Sequence, residues 1–392
     1  MMVEKKNKKN CSEIALISAI YVHIPFCEAK CRYCGFYSEN LSSKNDKKYT
    51  RALLSDLCSK SNLLATPAKT IYIGGGTPSA ISNQCLDEIL TYLDHFADHQ
   101  TEFTIEANPN SCDKDFANLL AMYKVNRVSL GVQSFSNSEL SQLGRLHRSE
   151  DISKAVDLLR ANGIENLSLD LIYGLPGQSL ASWSENLKRA IDLSPEHISC
   201  YSLTIDPQTQ FEKLYQAGEL ELASDSLYRE MFFSTIEILK QAGYQHYEIS
   251  NFAKPGCQSK HNRVYWKNQP YLGFGPAAAS YYNFTRSTNS ADLQSYIDNI
   301  LANKQPECQS EHLEGKLHAA ETLMLNFRLI EGVDIAEFKA RFLATPEEMF
   351  PKSFAKYYDM KILKRQNGKI LVETDSLFVI DSVLADILSE AD

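Results

Sequence analysis

Three cysteines lie close together near the start of the chain, in the pattern Cys27-x3-Cys31-x2-Cys34. Thiolates bind soft metal centres, above all zinc and iron-sulfur clusters. A structural zinc site needs four ligands, whereas three cysteines on a [4Fe-4S] cluster leave one iron open for an external ligand. Two positions after Cys34 stands Phe36, so no fourth thiol follows at that point. The spacing favours a cluster with an open iron; the alternatives are a thioredoxin-like Cys31/Cys34 pair and a zinc knuckle completed by His23.

Composition and charge describe an ordinary globular chain. The 392 residues carry 40 basic and 49 acidic side chains, a formal charge of −9, and 44% of them are hydrophobic. An acidic chain without a basic block offers nucleic acid no electrostatic footprint, so we expect no nucleic-acid partner. No apolar run reaches the roughly 20 residues of a membrane-spanning helix. The lysine-rich start also lacks the apolar stretch of a secretory signal, so we expect a cytoplasmic protein with reduced cysteines.

The order of predicted elements indicates a barrel of parallel strands. Apolar runs that predict strands lie at 20–24, 70–73, 102–107, 127–132, 166–172 and 197–203. Amphipathic stretches that predict helices lie between them, at 46–59, 83–97, 113–123, 150–162 and 180–193. This alternation predicts an α/β fold, a partial (βα)6 TIM-like barrel, with the polar segments after the strands gathered at one rim. The alternative is an open doubly wound sheet, which concentrates its ligand groups at one switch point.

The rest of the chain predicts a second, smaller domain. A helix is predicted at 227–242 and a loop-rich stretch at 244–286. Beyond them the pattern predicts helices at 293–303, 314–328, 335–342 and 353–363, a hairpin of 369–373 with 377–380, and a helix at 381–390. This order is typical of a small helical, winged-helix-like domain, for which DNA binding is an alternative weakened by the missing basic excess. We therefore predict a mobile tail at 1–18, a barrel core at 19–290 and a C-terminal domain at 291–392.

The string YVHIPFCEAKCRYCGFY resembles the cluster loop of radical S-adenosylmethionine (SAM) proteins. It is most similar to the branch that contains the oxygen-independent coproporphyrinogen III oxidases and the HemW-type haem chaperones, and the likeness extends over residues 20–381. The resemblance implies that Cys27, Cys31 and Cys34 hold a [4Fe-4S] cluster and that SAM chelates the open iron. It also implies that an electron from the cluster, supplied by a donor such as flavodoxin or ferredoxin, cleaves SAM to a 5′-deoxyadenosyl radical.

The same resemblance implies SAM-binding roles for residues after the second and third predicted strands. Gly75, Gly76 and Thr77, in the run GGGTP, are similar to the loop that receives the methionine amino group. Glycine in such a loop lets the backbone approach a ligand closely. Glu106, in the run TIEANP, is expected to attract the sulfonium and amino charges of SAM.

Further candidate SAM contacts follow the later strands. Gln133 and Arg145 resemble residues that bind the hydroxyls and the carboxylate of SAM, for which the planar fork of an arginine is well suited. Without the resemblance, Arg145 would be interpreted as a surface residue. Asp170 matches the ribose-hydroxyl contact of the family, since a carboxylate accepts two hydrogen bonds readily. The remaining positions implied to contact the cluster or SAM are Tyr21, Tyr33 and Ser202.

Two local features favour the chaperones over the oxidases. The oxidases carry a fourth cysteine where this chain has Phe36, whereas the HemW-type proteins have an aromatic residue there. The run HNRVYW at 261–266 resembles their HNxxYW element, which implies that His261 ligates haem and that Tyr265 and Trp266 pack on the macrocycle.

The resemblance as a whole therefore implies a haem chaperone that carries a [4Fe-4S] cluster and SAM. Its expected partners are haem and acceptor haemoproteins, with membrane contact through those acceptors. The alternatives are oxygen-independent coproporphyrinogen III oxidation in porphyrin biosynthesis, and a zinc- or DNA-binding regulator.

Overall fold

The structure, a computed structural model, describes residues 16–41 and 45–391. Within these residues the strands are β1 (Ala19–Ile24), β2 (Phe26–Cys27), β3 (Glu39–Asn40), β4 (Thr70–Gly75), β5 (Glu102–Ala107), β6 (Arg127–Gln133), β7 (Asn166–Tyr173), β8 (His197–Ser202), β9 (Gln245–Glu248), β10 (Asn251–Ala253), β11 (Leu272–Phe274), β12 (Ala279–Tyr282), β13 (Thr285–Asn289), β14 (Cys308–His312), β15 (Val333–Asp334), β16 (Leu363–Gln366) and β17 (Lys369–Val372). The α-helices are α1 (Asn45–Ser59), α2 (Asn83–Asp94), α3 (Lys114–Ala121), α4 (Asn137–Leu143), α5 (Ser149–Ala161), α6 (Leu180–Asp192), α7 (Gln210–Gln216), α8 (Asp225–Gln241), α9 (Lys260–Trp266), α10 (Leu293–Leu301), α11 (Gly315–Asn326), α12 (Ile335–Phe342), α13 (Pro346–Met349), α14 (Pro351–Asp359) and α15 (Ile380–Ala391). Short 3-10 helices lie at Ser61–Leu63, Pro78–Ala80, Pro109–Ser111 and Thr374–Val379.

The six predicted barrel strands are parallel neighbours in the order β1-β4-β5-β6-β7-β8. Helices α1, α2, α3, α5 and α6 lie in the connections between them, as parallel strands require. This arrangement confirms the predicted TIM-like α/β fold.

The sheet is wider than the six predicted strands. Strand β11 adds in parallel beside β1, while β10 and then β9 add antiparallel beyond β8. These strands and α9 come from the stretch predicted as loop at 244–286, so that prediction is wrong. Each of these three strands spans only three or four residues, too few for a hydrophobic period to be recognised.

The barrel strands alternate between apolar and polar sides. On β6, Val128, Leu130 and Val132 are buried in the main hydrophobic core. The residues between them, starting with Arg127 and Ser129, line a cavity inside the barrel. Because successive side chains of a strand point to opposite faces, one face packs in the hydrophobic core while the other builds a site.

The predicted domain boundaries do not coincide with the limits of the two hydrophobic cores. Of the tail expected at 1–18, residues 1–15 lie outside the described residues, while Ile17 is 2% exposed and bridges to Leu64. Helix α10 follows the boundary predicted at residue 291, yet its Tyr296 and Ile300 belong to the core of the barrel. The second core contains residues from α11, α12, α14 and α15. The packing therefore changes after α10, beyond residue 291.

The C-terminal hairpin is formed by other residues than those predicted. Strands β16 and β17 pair around Asn367 and Gly368, which have φ values of 50° and 75°. An Asn-Gly pair with positive φ at both positions is the preferred two-residue hairpin turn. The second predicted strand, at 377–380, instead contributes to a 3-10 helix and to the start of α15. Strand β15 completes a small three-stranded sheet.

Candidate functional site

The clustered cysteines lie in the segment that follows β1, at the carboxyl end of the parallel strands. Cys27 belongs to β2, and Cys31 and Cys34 follow without a disulfide bond. The hydroxyl of Thr77 donates to Cys27 Sγ at 3.5 Å, and Arg145 Nη1 donates to Cys31 Sγ at 3.4 Å. Burial raises the pKa of the Cys34 thiol to about 11. All three thiols line the same cavity, so the structure brings the predicted ligands together.

This donor set does not suit a single metal ion. Across residues 16–41 and 45–391, no three side chains of His, Cys, Asp or Glu are gathered closely enough to hold one. His23, suggested as a fourth zinc ligand, donates from Nε2 to the carbonyl oxygen of Tyr37 at 3.1 Å and accepts at Nδ1 from the hydroxyl of Tyr21 at 3.0 Å. Three thiols set apart around a common cavity suit a larger body with a separate iron for each, such as a [4Fe-4S] cluster. The zinc-knuckle alternative is not supported.

The cavity has a volume of about 490 Å³ and extends into the barrel. The predicted cluster and SAM residues that line it are Cys27, Cys31, Tyr33, Cys34, Gly75, Gly76, Thr77, Glu106, Gln133, Arg145, Asp170 and Ser202. The predicted residues outside its lining are Tyr21, His261, Tyr265 and Trp266. The geometry thus brings together most of the predicted cofactor residues and separates the predicted haem residues from them.

Tyr21 does not have the predicted position beside the cofactors. Its hydroxyl is bonded to His23, and its ring stacks at 6.1 Å on the ring of Tyr72. Tyr72, on the neighbouring strand, lines the cavity in its place. The strand register puts these two tyrosines side by side, which the sequence of either strand alone does not reveal.

Glu106 lies near the carboxyl end of β5, and its carboxylate lines the cavity. Its Oε1 accepts from the Tyr72 hydroxyl at 2.7 Å and its Oε2 from the Gly75 amide at 3.1 Å. Burial raises the pKa of Glu106 to about 7, although both donors act in the opposite direction. Gly75 has a φ of 114°, and a Cβ there would lie 2.7 Å from the His23 ring, so this amide position requires glycine. A positively charged ligand in the cavity would favour the ionised form of Glu106.

Asp170 is held by three serine hydroxyls from three neighbouring strands. Ser199 donates to it at 2.6 Å, Ser129 at 2.9 Å and Ser168 at 3.2 Å. Burial raises the pKa of Asp170, while the serine donors lower it. A carboxylate offers about four acceptor sites, so Asp170 retains acceptor capacity for a ligand hydroxyl.

Arg145 belongs to the cavity wall, which does not support its interpretation as a surface residue. Its Nη2 donates to Asn108 Oδ1 at 2.5 Å and to the Gly131 carbonyl at 2.8 Å. Beside it, β6 shifts register between Gly131 and Gln133, and Gln133 has a φ of 64°. A Cβ on Gly131 would lie 3.0 to 3.2 Å from Asn108, Gln133 and Arg145. Glycine therefore leaves open the space into which these polar groups point.

Several residues of the cavity were not predicted from the sequence. They are Tyr72, Asn108, Arg127, Ser129, His197, Ser199 and Tyr201. Most stand at alternate positions of a strand, Arg127 and Ser129 on β6 and His197, Ser199 and Tyr201 on β8. Polar residues at alternate positions of otherwise apolar strands were the available indication.

The haem motif forms a helix, so the prediction of a loop is wrong. Helix α9 begins after Ser259, whose hydroxyl caps it by accepting from the Asn262 amide at 3.2 Å. Glu102, at the start of β5, accepts from the Lys260 amide at 2.8 Å and from the His261 amide at 2.9 Å. A carboxylate at a helix N-terminus is stabilising, so α9 is fixed at the amino end of the barrel strands, opposite the cysteines.

His261 is not accessible to a haem iron in this arrangement. Its side chain is 1% exposed, with Nδ1 at 2.8 Å from Thr70 Oγ1 and Nε2 at 2.8 Å from the Tyr265 hydroxyl. Its ring stacks on Tyr72 at 5.1 Å, and burial lowers its pKa to about 3. Because both ring nitrogens are engaged, the prediction of an available axial ligand is corrected to a buried docking residue.

The two aromatic residues predicted to pack on the macrocycle contact the protein instead. The Tyr265 ring lies edge-on to Tyr271 at 4.6 Å. The Trp266 ring faces the guanidinium of Arg328 at 5.8 Å. A seven-residue helix shows too little periodicity for this packing to be recognised from the sequence.

Comparisons with known proteins agree with the cavity and the barrel. Residues 21–190 match the Radical SAM superfamily, and residues 313–374 match the HemN C-terminal domain. The structure of coproporphyrinogen III oxidase (HemN) from Escherichia coli, a radical SAM enzyme, is similar with a TM-score of 0.81, covering 95% of this chain and 90% of that one at 21% identity. The fold and the three-cysteine site therefore define a radical SAM protein.

Curated relatives narrow the assignment. The chain is 35% identical to heme chaperone HemW of Bacillus subtilis over 86% of this chain and 89% of the relative. It is 34% identical to heme chaperone HemW of Lactococcus lactis, covering 90% and 92%, and 36% identical to that of Escherichia coli, covering 82% and 85%. The chain belongs to the HemW family of the radical SAM superfamily. None of its described helices is both long and apolar enough to cross a membrane.

Proposed function

We propose that this protein is a haem chaperone, which binds haem and delivers it to haemoproteins, and that it carries a [4Fe-4S] cluster and SAM. The observation that carries the proposal is the 34–36% identity, over most of the chain, to relatives named heme chaperone HemW. The cavity supports the cofactor part, because the three cysteines and the SAM candidates line it together.

The cofactor roles follow from the donor groups of the cavity. Cys27, Cys31 and Cys34 would hold the cluster, which supplies an electron-transfer centre with one iron open to SAM. Glu106 would offer its carboxylate to the positive charges of SAM. Asp170, oriented by its three serines, would accept from ribose hydroxyls.

Arg145 would bind the SAM carboxylate from the same wall. Hydrogen bonds to Asn108 and to the Gly131 carbonyl hold its side chain in place. Ligand binding therefore costs less side-chain conformational entropy. The remaining contacts of the proposal are Tyr33, the glycine loop at 75–77, Gln133 and Ser202.

For haem, the structure offers aromatic faces at the mouth of the cavity. Phe36 is 70% exposed and Tyr201 is 42% exposed, and both line the cavity. Large exposed aromatic side chains beside a cavity are well suited to a flat apolar macrocycle. We therefore include Phe36 and Tyr201 as haem contacts. The proposal also comprises a cytoplasmic location, an electron donor such as flavodoxin or ferredoxin, and membrane contact through the acceptors.

The oxidase alternative rests on the shared fold with HemN, and at 21% identity that likeness carries no assignment of activity. One experiment separates the two functions. The anaerobically purified protein, with its cluster, is incubated with SAM, a reductant and coproporphyrinogen III, and in parallel with haem and an apo-haemoprotein. We expect haem transfer and no protoporphyrinogen. Formation of protoporphyrinogen at catalytic turnover, without haem transfer, would establish the oxidase instead.

A further inference from the structure

The cavity continues beyond the proposed cluster and SAM residues. Arg127, Ser129, Gly131 and Gln133, every second residue of β6, all line it. Six residues of strand span about 20 Å, so the lining reaches from the rim to the amino end of the strand. Glu106, the deepest proposed SAM contact, pairs in register with Ser129, two residues above Arg127. The lower part of the cavity, which we call the floor, thus has no assigned ligand.

Arg127 is the unusual group of the floor. Its side chain is 2% exposed, yet its Nε has no hydrogen-bond partner, and no ion pair joins it to the part of the chain that the structure describes. A guanidinium carries five donors, and a buried charge is costly unless these donors are satisfied. An arginine at this position therefore calls for a partner that the described residues do not supply.

Three carboxylates lie near enough to act on Arg127 electrostatically, but each is engaged elsewhere. Glu106 accepts from the Tyr72 hydroxyl and the Gly75 amide. Glu102 accepts from the amides at the start of α9. Asp170 accepts from three serines. They offset part of the charge of Arg127 without hydrogen-bonding to it.

The other walls of the floor are similarly engaged, except at Asn262. Tyr72 donates to Glu106, and Ser129 donates to Asp170. Both ring nitrogens of His197 are bonded, to Ser168 and to Tyr247, each at 2.8 Å. Asn262 of α9 also lines the floor, and its side-chain amide has no hydrogen bond to the described residues. The free donors of the floor are therefore the guanidinium of Arg127 and the amide of Asn262.

We propose that the floor of the cavity binds a carboxylate, held by the planar fork of Arg127 with the Asn262 amide beside it. Carboxylate geometry matches two parallel N–H donors of a guanidinium, which makes such pairs both strong and directional. Two sources have this chemistry: a free small carboxylate, or a propionate arm of the tetrapyrrole. The second source rests on the proposed function, whereas the first does not.

The probe for the site is ¹³C-labelled propionate, titrated by NMR into the cluster-containing protein under anaerobic conditions. We expect saturable binding in the parent protein and binding weaker by about tenfold or more in Arg127→Met, because a charge-assisted pair is lost. Asn262→Ala should weaken binding less. Arg51→Met, which removes an exposed arginine of α1, is the matched control and should bind like the parent.

Arg127→Lys keeps the charge without the fork, and it serves if the methionine variant does not fold. The lysine variant should bind propionate more weakly than the parent. Absence of saturable binding in the parent protein, or unchanged binding in the Arg127 variants, would overturn the proposal.

The two sources are separated with haem and its dimethyl ester, in which both propionates are blocked. If the parent protein binds haem more tightly than the ester, and Arg127→Met removes this preference, the tetrapyrrole arm occupies the floor. If both compounds bind equally while propionate still binds, the ligand is a free carboxylate. A protein that binds propionate but no haem would contradict the proposed function and leave the floor site standing.

Discussion

Glu106 and Asp170, the two carboxylates proposed to bind SAM, have different surroundings and so suit different tasks. Asp170 is held by three hydroxyl donors, which keep it fixed as an acceptor for neutral hydroxyls. Glu106 has two donors, and burial raises its pKa to about 7. A group with this pKa changes its charge in the physiological range, so its attraction for a cation depends on pH.

We predict that SAM affinity depends on pH through Glu106. The groups around it are Tyr72 and Gly75 of β4, Asp170 of β7 and Arg127 of β6, and the net result of burial and neighbours is the pKa of about 7. Below that value Glu106 is protonated, so its contribution to SAM affinity should fall by up to about tenfold per pH unit. The contribution should be complete at pH 8.

Calorimetric titration of the cluster-containing protein with SAM between pH 6 and 8.5 measures this dependence. Since the amino group of SAM titrates as well, the comparison is with Glu106→Gln, in which only the ligand titrates. Identical pH profiles for the parent and the variant would remove Glu106 from SAM binding.

We predict that Cys27→Ala, Cys31→Ala and Cys34→Ala each lose the cluster. Each change removes one of three ligands and leaves a second iron without a protein donor. Iron and sulfide analysis after anaerobic reconstitution is the measurement. Cys58→Ala, at an exposed position of α1, is the matched control and should keep full iron and sulfide. Full loading in any of the three site variants would show that the ligands were assigned wrongly.

The structure brings together those candidate residues for which the residue type and a place near the carboxyl end of a strand both pointed to a ligand. Cys27, Glu106 and Asp170 satisfy both conditions and line one cavity. Arg127 did not satisfy them, because it stands at the start of a strand and its exposure depends on what the rest of the barrel encloses. His261 was misplaced because no property of the letters HNRVYW reveals that Glu102 and Thr70 bury it.

At the scale of elements, α9 closes the amino end of the barrel. Its N-terminus is bonded to Glu102 of β5, and its His261 to Thr70 of β4. Tyr72, on which His261 stacks, donates to Glu106 in the cavity. A displacement of α9 would therefore alter the surroundings of Glu106 through one intervening side chain, that of Tyr72.

We predict that His261→Ala acts on stability rather than on haem. Loss of two buried hydrogen bonds and an aromatic contact should lower the free energy of unfolding by about 2–4 kcal/mol. The haem absorption spectrum should stay that of the parent, since the ring is not exposed while α9 is docked. Urea denaturation and haem titration of the same preparation measure both effects, with exposed His99→Ala as the control. A changed haem spectrum at unchanged stability would restore His261 as the ligand.

The barrel strands of six residues or more were predictable, whereas the short elements between residues 244 and 286 were not. Strands β1 and β4 to β8 have runs long enough to show their pattern, and the alternation with helices gave their parallel order. Strands β9 to β11 and helix α9 have too few residues for a period, and tertiary contacts decide their structure. The C-terminal hairpin was misplaced although the Asn367-Gly368 turn was visible in the sequence, because the adjacent apolar runs were given more weight than the turn.

At the scale of the whole molecule, buried neutral histidines couple folding to pH. Burial lowers the pKa of His147 to about 4 and that of His261 to about 3. Below about pH 6.5 these histidines bind protons in the unfolded chain but not in the folded protein. Their effect on the free energy of unfolding is therefore absent above pH 6.5, and they destabilise the fold as the pH falls towards 4. Glu106 and Glu248, whose pKa values burial raises to about 7, act in the opposite direction between about pH 4.5 and 7.

We predict that acid destabilises the protein, because burial lowers the pKa of six histidines against these two glutamates. The six are His23, His147, His197, His246, His261 and His318. Each histidine with a pKa of about 4 should account for up to about 3 kcal/mol between pH 6.5 and 4. The apparent urea midpoint should therefore fall steadily from pH 7 to pH 5. His147→Gln should reduce this acid sensitivity, and Glu248→Gln should stabilise the protein mainly above pH 7. A midpoint that rises on acidification would contradict the account.

The central claim is a cluster held by three thiols with one iron left for SAM. Electron paramagnetic resonance of the anaerobically reconstituted, reduced protein, recorded with and without SAM, tests it most directly. We expect the spectrum of a reduced [4Fe-4S] cluster whose g values change when SAM is added and stay unchanged when buffer alone is added. A cluster spectrum insensitive to SAM, or a colourless protein that contains zinc, would contradict it.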